Sequence, residues 1–263
     1  MVHTQIHLKI SALSILLSSL FCKTSGFTHS FWLPPVKFAS KSTTELPSSS
    51  SSDNAPSVRF LGKGERAVVR PGVVLVAPNH EYNHYLMRSA VFIHGIGVDD
   101  EGQHVTRGVI IDQPTAFSMG EMGGGSVYGL LAQNILFQGG DVGNDSAMLL
   151  HSCGKDMPCL TEEETASKIE CGDMIGMSGI YEGGLQTAMD KADDGLLDPE
   201  KFKFFFNYVE FTDMELELML QATDSEGDAW FSVEVSPDMI LGSEYSRGDA
   251  WKYLRRQLKK ITV

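Results

Sequence analysis

The sequence predicts one α+β domain that follows a long N-terminal leader. Short strand-like runs cluster early in the chain and helical patterns late, without the regular strand–helix alternation of a parallel α/β sheet. After residue 60 no Ser- or Pro-rich linker marks a second boundary, so residues 61–263 are expected to form one domain. The chain has 263 residues, 42% of them hydrophobic, which is enough to bury a core without disulfide or metal crosslinks.

Seven short runs predict the strands. Each is rich in β-branched or aromatic residues, and Gly, Asp or Asn residues separate the runs, as expected at strand ends. They are residues 72–77, 90–94, 108–112, 135–137, 147–151, 204–209 and 230–235.

Three segments predict helices. Thr212 and Glu215 form a T-x-x-E capping box, which predicts a helix through about Thr223. Residues 184–194 are a second candidate. The last helix begins near Ser246 and Asp249 and is predicted by apolar residues spaced three and four apart, which line one helix face. These residues are Trp251, Leu254, Leu258 and Ile261.

The composition of the first 60 residues predicts two targeting segments. Residues 10–22 are apolar and uncharged, follow Lys9, and are too few to span a membrane, so we expect a signal peptide over residues 1–26. Residues 27–60 are rich in Ser, Thr and Pro, basic and poor in acids, which is typical of a disordered transit peptide.

The boundary between these two segments, Thr24-Ser25-Gly26-Phe27, resembles the cleavage region of the bipartite presequence found in algae with complex plastids. The resemblance implies delivery to the plastid (chloroplast) stroma. A secreted protein with a low-complexity linker is the alternative.

The charge of the predicted domain restricts its partners. Residues 61–263 hold sixteen Lys and Arg against thirty-two Asp and Glu, a net charge of −16. Nucleic acids and anionic lipids need clustered cations, so we expect the mature protein to bind neither nucleic acid nor membrane. No G-K-[ST] string is present, and Asp100 replaces the third glycine that a dinucleotide fingerprint would need after Gly95 and Gly97, so no cofactor is expected.

An H-E-x-x-H string, formed by His80, Glu81 and His84, raises the alternative of a zinc-dependent hydrolase. On a helix the two histidines would face one way and bind Zn²⁺, and the glutamate would polarise a water. However, only about ten residues separate Pro78 from the next predicted strand, whereas zincin sites use a long helix.

Three cysteines of the predicted domain suggest a second alternative, a thiol redox-regulated protein. Cys153, Cys159 and Cys171 have C-x₅-C-x₁₁-C spacing without a C-x-x-C pair, which gives structural zinc little support. Their polar, loop-like surroundings make a regulatory disulfide between two of them a hypothesis.

Four blocks, read in order, carry a resemblance to a known family. They are residues 72–78 (GVVLVAP) with 87–91 (MRSAV), 108–114 (GVIIDQP), 137–141 (FQGGD) with 149–151 (LLH), and 179–184 (GIYEGG) with 202–208 (FKFFFNY). Their order and spacing resemble the AlgH-like (YqgE/AlgH) family, whose biochemical activity is not established. The fourth block is similar to its plant-type plastid branch.

The resemblance implies a barrel-like, curled mixed sheet flanked by helices, and a non-catalytic binding or regulatory module that acts through an unknown protein partner. It also singles out ligand-binding candidates. Asp112 and Gln113 stand where the family has an Asn-Arg-Pro turn, Gly139 and Gly140 match a glycine pair, and His151 matches a Leu-His pair. The change from Arg to Gln113 removes a cation that could have bound an anion.

Overall fold

The computed structural model describes residues 57–81, 83–123, 125–154, 171–221, 228–243 and 247–261. For residues 144, 145, 171–173 and 261 it describes the backbone alone. The predicted signal and transit peptides up to residue 56, and Cys159, lie outside the described residues.

Eleven strands of the described residues join in one sheet. They are β1 (Val58–Lys63), β2 (Val74–Val76), β3 (Ala90–Val98), β4 (His104–Ile110), β5 (Pro114–Ser118), β6 (Ile135–Gln138), β7 (Val142–His151), β8 (Cys171–Met174), β9 (Tyr181–Gly183), β10 (Phe202–Thr212) and β11 (Phe231–Val235). All seven predicted runs contain or overlap a strand. The sequence patterns missed β1, β5, β8 and β9.

The helices of the described residues are α1 (Met119–Met122), α2 (Leu185–Asp193), α3 (Asp213–Gln221), α4 (Pro237–Leu241) and α5 (Asp249–Ile261). The predicted capping box is confirmed: the Thr212 N–H and hydroxyl each donate to the Glu215 carboxylate at 2.9 Å. Helix α5 buries Trp251, Leu254 and Leu258, as the apolar spacing predicts. Among the described helices, none has the length and apolar character needed to cross a membrane.

The sheet is curled but open. Its strand order is β1-β11-β2-β3-β4-β10-β7-β9-β8, with β6 paired to β10 and β5 to β6. Four strand spacings, about 19 Å in a flat sheet, separate β3 from β9. Nevertheless His94 Nδ1 on β3 lies 3.9 Å from Glu182 Oε2 on β9, so the sheet bends until these strands face each other. In the described part of the chain its end strands β1 and β8 do not pair. The α+β class is confirmed.

Strand β10 separates two hydrophobic cores. Phe205, Val209 and Phe211 belong to the larger core with α4 and α5, whereas Phe202 and Phe204 belong to a smaller core with α2. This alternation follows from the two-residue period of a strand.

A bulge in β10 explains the glycine pair that follows β6. At Asn207, with φ +59°, the neighbour of β10 changes from β6 to β4. Gly139 N–H donates to the Phe206 carbonyl at 2.8 Å. A Cβ on Gly140 would lie 2.1 Å from the carbonyl carbon of Tyr208. Both positions therefore need glycine because two backbone segments touch there.

Candidate functional site

Asp112, the first of the ligand-binding candidates, lies just beyond the end of β4 and is buried. Its Oδ2 accepts a hydrogen bond from Trp251 N–H at 3.1 Å, and its carbonyl accepts one from Gly248 N–H at 3.0 Å. Asp112 therefore fixes the start of α5, where a carboxylate also favours the helix dipole. Its Oδ1 is buried and has no partner among the described residues.

Lys203 on β10 is also buried, and the sequence patterns did not single it out. Its Nζ donates to the carbonyls of Ile111 at 2.7 Å and Ile240 at 2.9 Å, and lies 3.9 Å from the centre of the Phe137 ring. The lysine thus connects β10 to the end of β4 and to α4.

Burial shifts the pKa values of both Asp112 and Lys203. Removal from water raises the pKa of Asp112 to about 6, although Trp251 N–H and the Lys203 charge oppose this shift. Burial lowers the pKa of Lys203 to about 7, against the attraction of Asp112. Such shifts are typical of active sites, but also of structural networks. Here both side chains are bonded to backbone groups and less than 4% exposed, so they hold structural elements together.

Four of the five ligand-binding candidates meet at one junction. The Gln113 carbonyl accepts from Gln138 N–H at 2.8 Å, and the Gly139 carbonyl accepts from Ile110 N–H at 2.9 Å. Together with Gly140 and Asp112 these residues surround the point where β4, β6 and β10 meet.

His151 is placed elsewhere, on the side of the sheet that faces the smaller core. Its ring stacks on Tyr181 at 5.8 Å and packs against Phe202 at 5.5 Å. Nδ1 accepts from Cys153 N–H at 3.2 Å, and burial lowers the pKa of His151 to about 4, so the imidazole is neutral. Its Nε2 is buried without a partner in the described structure.

The described residues of the H-E-x-x-H string do not form the helix that a zincin site requires, since residues 80, 81 and 83 are not helical and a turn begins at residue 84. Its carboxylate is engaged: Glu81 Oε2 accepts from Trp230 Nε1–H at 3.0 Å. His80 Nδ1 lies 3.5 Å from Asp228 Oδ2, and the His84 ring packs edge-on against Tyr85. Within the described ranges, no three His, Cys, Asp or Glu side chains are grouped to share a metal ion.

The structure describes two of the three cysteines on which the redox hypothesis depends, Cys153 and Cys171. Cys153 is buried in the smaller core, just after β7. Cys171 begins β8, and strand β9 lies between β7 and β8. The redox disulfide stays a prediction.

Sequence reasoning also missed a polar cluster on β3, β4 and β10. Arg107 Nε donates to Glu210 at 2.5 Å, and the guanidinium lies 5.6 Å from the Tyr208 ring centre. Burial and the Arg107 charge lower the pKa of His94 to about 4. Arg107 and Glu210 are direct cross-strand partners, so the one available signal was a charge pair in register across two strands.

The structure defines a mixed α+β protein whose curled sheet encloses structural polar groups. The chain belongs to the AlgH-like family, because the model of that family (DUF179: AlgH-like) matches residues 75–261.

A curated relative and two solved structures are similar to this chain. A UPF0301 protein of Chlorobium chlorochromatii (strain CaD3) is 26% identical over 142 residues, which cover 53% of this chain and 64% of the relative. The chain therefore matches less than two thirds of that protein.

Both solved structures have a lower sequence identity to this chain than the Chlorobium relative has. A crystal structure of a Corynebacterium diphtheriae protein has a TM-score of 0.49 at 17% identity and covers 72% of this chain and 87% of its own. A solution structure of the AlgH protein from Pseudomonas aeruginosa has a TM-score of 0.45 at 16% identity, with 83% and 97% covered.

Proposed function

We propose that this protein is a non-catalytic binding or regulatory module that acts in the plastid stroma by contact with partner proteins, as a member of the plastid branch of its family. The observation that carries the proposal is a solvent-exposed loop, residues 83–88, which is anchored by hydrogen bonds and which we name the display loop. It contains the end of the H-E-x-x-H string.

The display loop is anchored on both sides. Before it, the Asp228 carboxylate accepts from Asn79 N–H at 2.7 Å and Nδ2–H at 2.9 Å, and Glu81 accepts from Trp230. After it, the Ser89 hydroxyl donates to the Leu86 carbonyl at 2.8 Å. Leu86 itself is 2% exposed and inserts into the core. A loop held in this way loses little conformational entropy on binding.

The side chains that the display loop presents are those that protein interfaces favour. Tyr85 is 42% exposed and Met87 46% exposed, and Arg88 follows them at the surface. Tyrosine, methionine and arginine are enriched in interfaces, and Tyr and Arg in their energetic hot spots. Arg88 has φ +54°, a conformation that costs a side-chain-bearing residue about 1 kcal/mol and that is concentrated at functional sites.

The structural roles of the buried polar groups support a non-catalytic function. Asp112, Lys203 and His151 have pKa values shifted by burial, and each lies in the interior of the fold. Each also makes a hydrogen bond to a backbone group.

Affinity capture from a plastid extract tests the contact role. The full chain, a Tyr85→Ser/Met87→Ser variant and a Met214→Ser control are compared, since Met214 is 70% exposed on α3. We expect a protein that is retained by the parent chain and the control and is lost with the double variant. Equal recovery by all three chains would contradict the proposal.

The location is tested separately. Residues 1–60 fused to a fluorescent protein are expected to enter the plastid stroma, because they contain both the predicted signal peptide and the predicted transit peptide. Residues 1–26 alone are expected to enter the secretory route. Secretion of both fusions would refute the plastid location and leave the contact role untouched.

A further inference from the structure

We propose that a cleft at the β1 end of the sheet binds a carboxylate carried on a small apolar body. This site lies outside the display loop and goes beyond the proposed function. The cleft has a volume of about 230 Å³ and lies between β1, β11 and two turns at residues 70–72 and 175–178. Its charged lining consists of Arg59, Arg70 and Glu234.

The walls of the cleft are preformed. Gly72 and Gly176 have φ of +90° and +57°. A Cβ on Gly176 would lie 2.1 Å from the Pro71 carbonyl oxygen, so the two turns pack backbone against backbone. The second turn is braced further, because the Ser178 hydroxyl donates to the Ile175 carbonyl at 2.8 Å and accepts from Ile180 N–H at 3.1 Å. A ligand would therefore meet a formed site.

The donors of the cleft select a carboxylate. Arg59 Nε lies 3.3 Å from Glu234 Oε2, and Arg70 Nη2 lies 2.5 Å from Oε1. Glu234 thus shows that both guanidinium groups can converge on one carboxylate. Each guanidinium has five N–H donors, so most of them remain available for a second anion.

The net charge of the cleft favours a carboxylate over a phosphate. The three charged side chains that line the cleft sum to +1, although the domain around them is strongly acidic. A monoanionic carboxylate brings this site to neutrality, whereas a phosphate dianion would leave excess negative charge beside Glu234.

An apolar rim and the size of the cleft define the rest of the ligand. Met177 lines the cleft and is 85% exposed, and Val235 lines it from β11. An exposed methionine offers a deformable apolar contact. The volume lies below the roughly 300–1,000 Å³ of pockets for drug-sized ligands. A peptide C-terminus with an apolar last residue, or a short free acid, has this size and polarity.

A chemical-shift titration of the ¹⁵N-labelled full chain tests the site with four probes: N-acetyl-leucine, N-acetyl-leucinamide, hexanoate and inorganic phosphate. We expect N-acetyl-leucine to bind at least tenfold more tightly than its neutral amide, and more tightly than phosphate. Hexanoate binding as tightly as N-acetyl-leucine would identify a free acid as the source, and weaker hexanoate binding a peptide C-terminus. Equal affinity for the acid and the amide, or tighter phosphate binding, would overturn the proposal.

Variants assign the binding to the cleft. Arg70→Gln and Arg59→Gln are each expected to weaken N-acetyl-leucine about tenfold, whereas Arg66→Gln, an exposed arginine outside the lining, should change affinity less than twofold. Glu234→Gln raises the charge of the site from +1 to +2 and should tighten binding at least threefold, a gain that misfolding could not produce. Unchanged affinity in Arg70→Gln or Glu234→Gln would overturn the proposal.

Discussion

Replacing Lys203 by methionine is expected to destabilise the fold by about 2–6 kcal/mol at neutral pH, because two buried carbonyls lose their hydrogen-bond donor. Methionine keeps most of the side-chain volume, so packing against Phe137 changes little. What is lost are the two hydrogen bonds from Nζ to the carbonyls of Ile111 and Ile240. Each buried carbonyl left without a donor costs about 1–3 kcal/mol.

The loss also acts through Asp112, because the Lys203 charge opposes the rise in the pKa of this carboxyl. Without the lysine, only backbone hydrogen bonds, that of Trp251 N–H first, still oppose the effect of burial on Asp112, so its pKa rises further and Asp112→Asn should then matter less. We expect the double variant to be more stable than the sum of the two single losses by at least about 1 kcal/mol, as for residues in one polar network.

Urea unfolding at pH 7.5, followed by the fluorescence of the buried Trp230 and Trp251, measures these differences. A loss below about 1 kcal/mol for Lys203→Met would refute the structural role of the lysine. Strict additivity of the two substitutions would refute the coupling between them.

Three further outcomes follow from the same contacts. The folded state raises the pKa of Asp112 from 3.8 to about 6, so between these pH values the folded chain binds a proton at Asp112 that the unfolded chain has released, and the contribution of Asp112 to stability should fall by up to about 3 kcal/mol as pH rises from 4 to 6. The buried His94 and His151, whose pKa values are lowered to about 4, act in the opposite direction over this range, so the fall is measured as the change in the stability of the parent chain relative to Asp112→Asn in urea titrations at the two pH values. Gly140→Ala should cost about 3 kcal/mol in the same assay because of the contact with Tyr208, whereas Gly97→Ala, with open space around its Cβ, should cost less than about 1 kcal/mol. Arg88→Gly should change stability by less than about 1 kcal/mol, because relief of its positive φ offsets the added chain entropy, and a larger loss would show that the Arg88 side chain itself holds the loop.

The elements that short-range patterns encode could be predicted from the sequence. The capping box of α3 joins residues three positions apart, and the apolar stripe of α5 lies within one helix. The short strands β8 (CGDM) and β9 (YEG) were missed because neither contains a run of β-branched or aromatic residues.

The candidate site depends on contacts between residues that are far apart in the sequence, which local sequence patterns do not reveal. Lys203 stands among aromatic residues in FKFFFNY, but its acceptors Ile111 and Ile240 lie 92 and 37 positions away. The H-E-x-x-H string matches a zinc motif letter by letter, yet the partner of Glu81 is Trp230, 149 positions away. The family resemblance therefore singled out the residues that meet at the Asp112 junction but did not assign its chemistry.

Photo-crosslinking in intact plastids tests most directly whether this protein works by contact through its display loop. A photoreactive amino acid replaces Tyr85 in the full chain, and the same residue at Met214 serves as the matched position. The account predicts a discrete adduct with a different protein from position 85 and none from position 214. No adduct from position 85, or the same adduct from both positions, would contradict it.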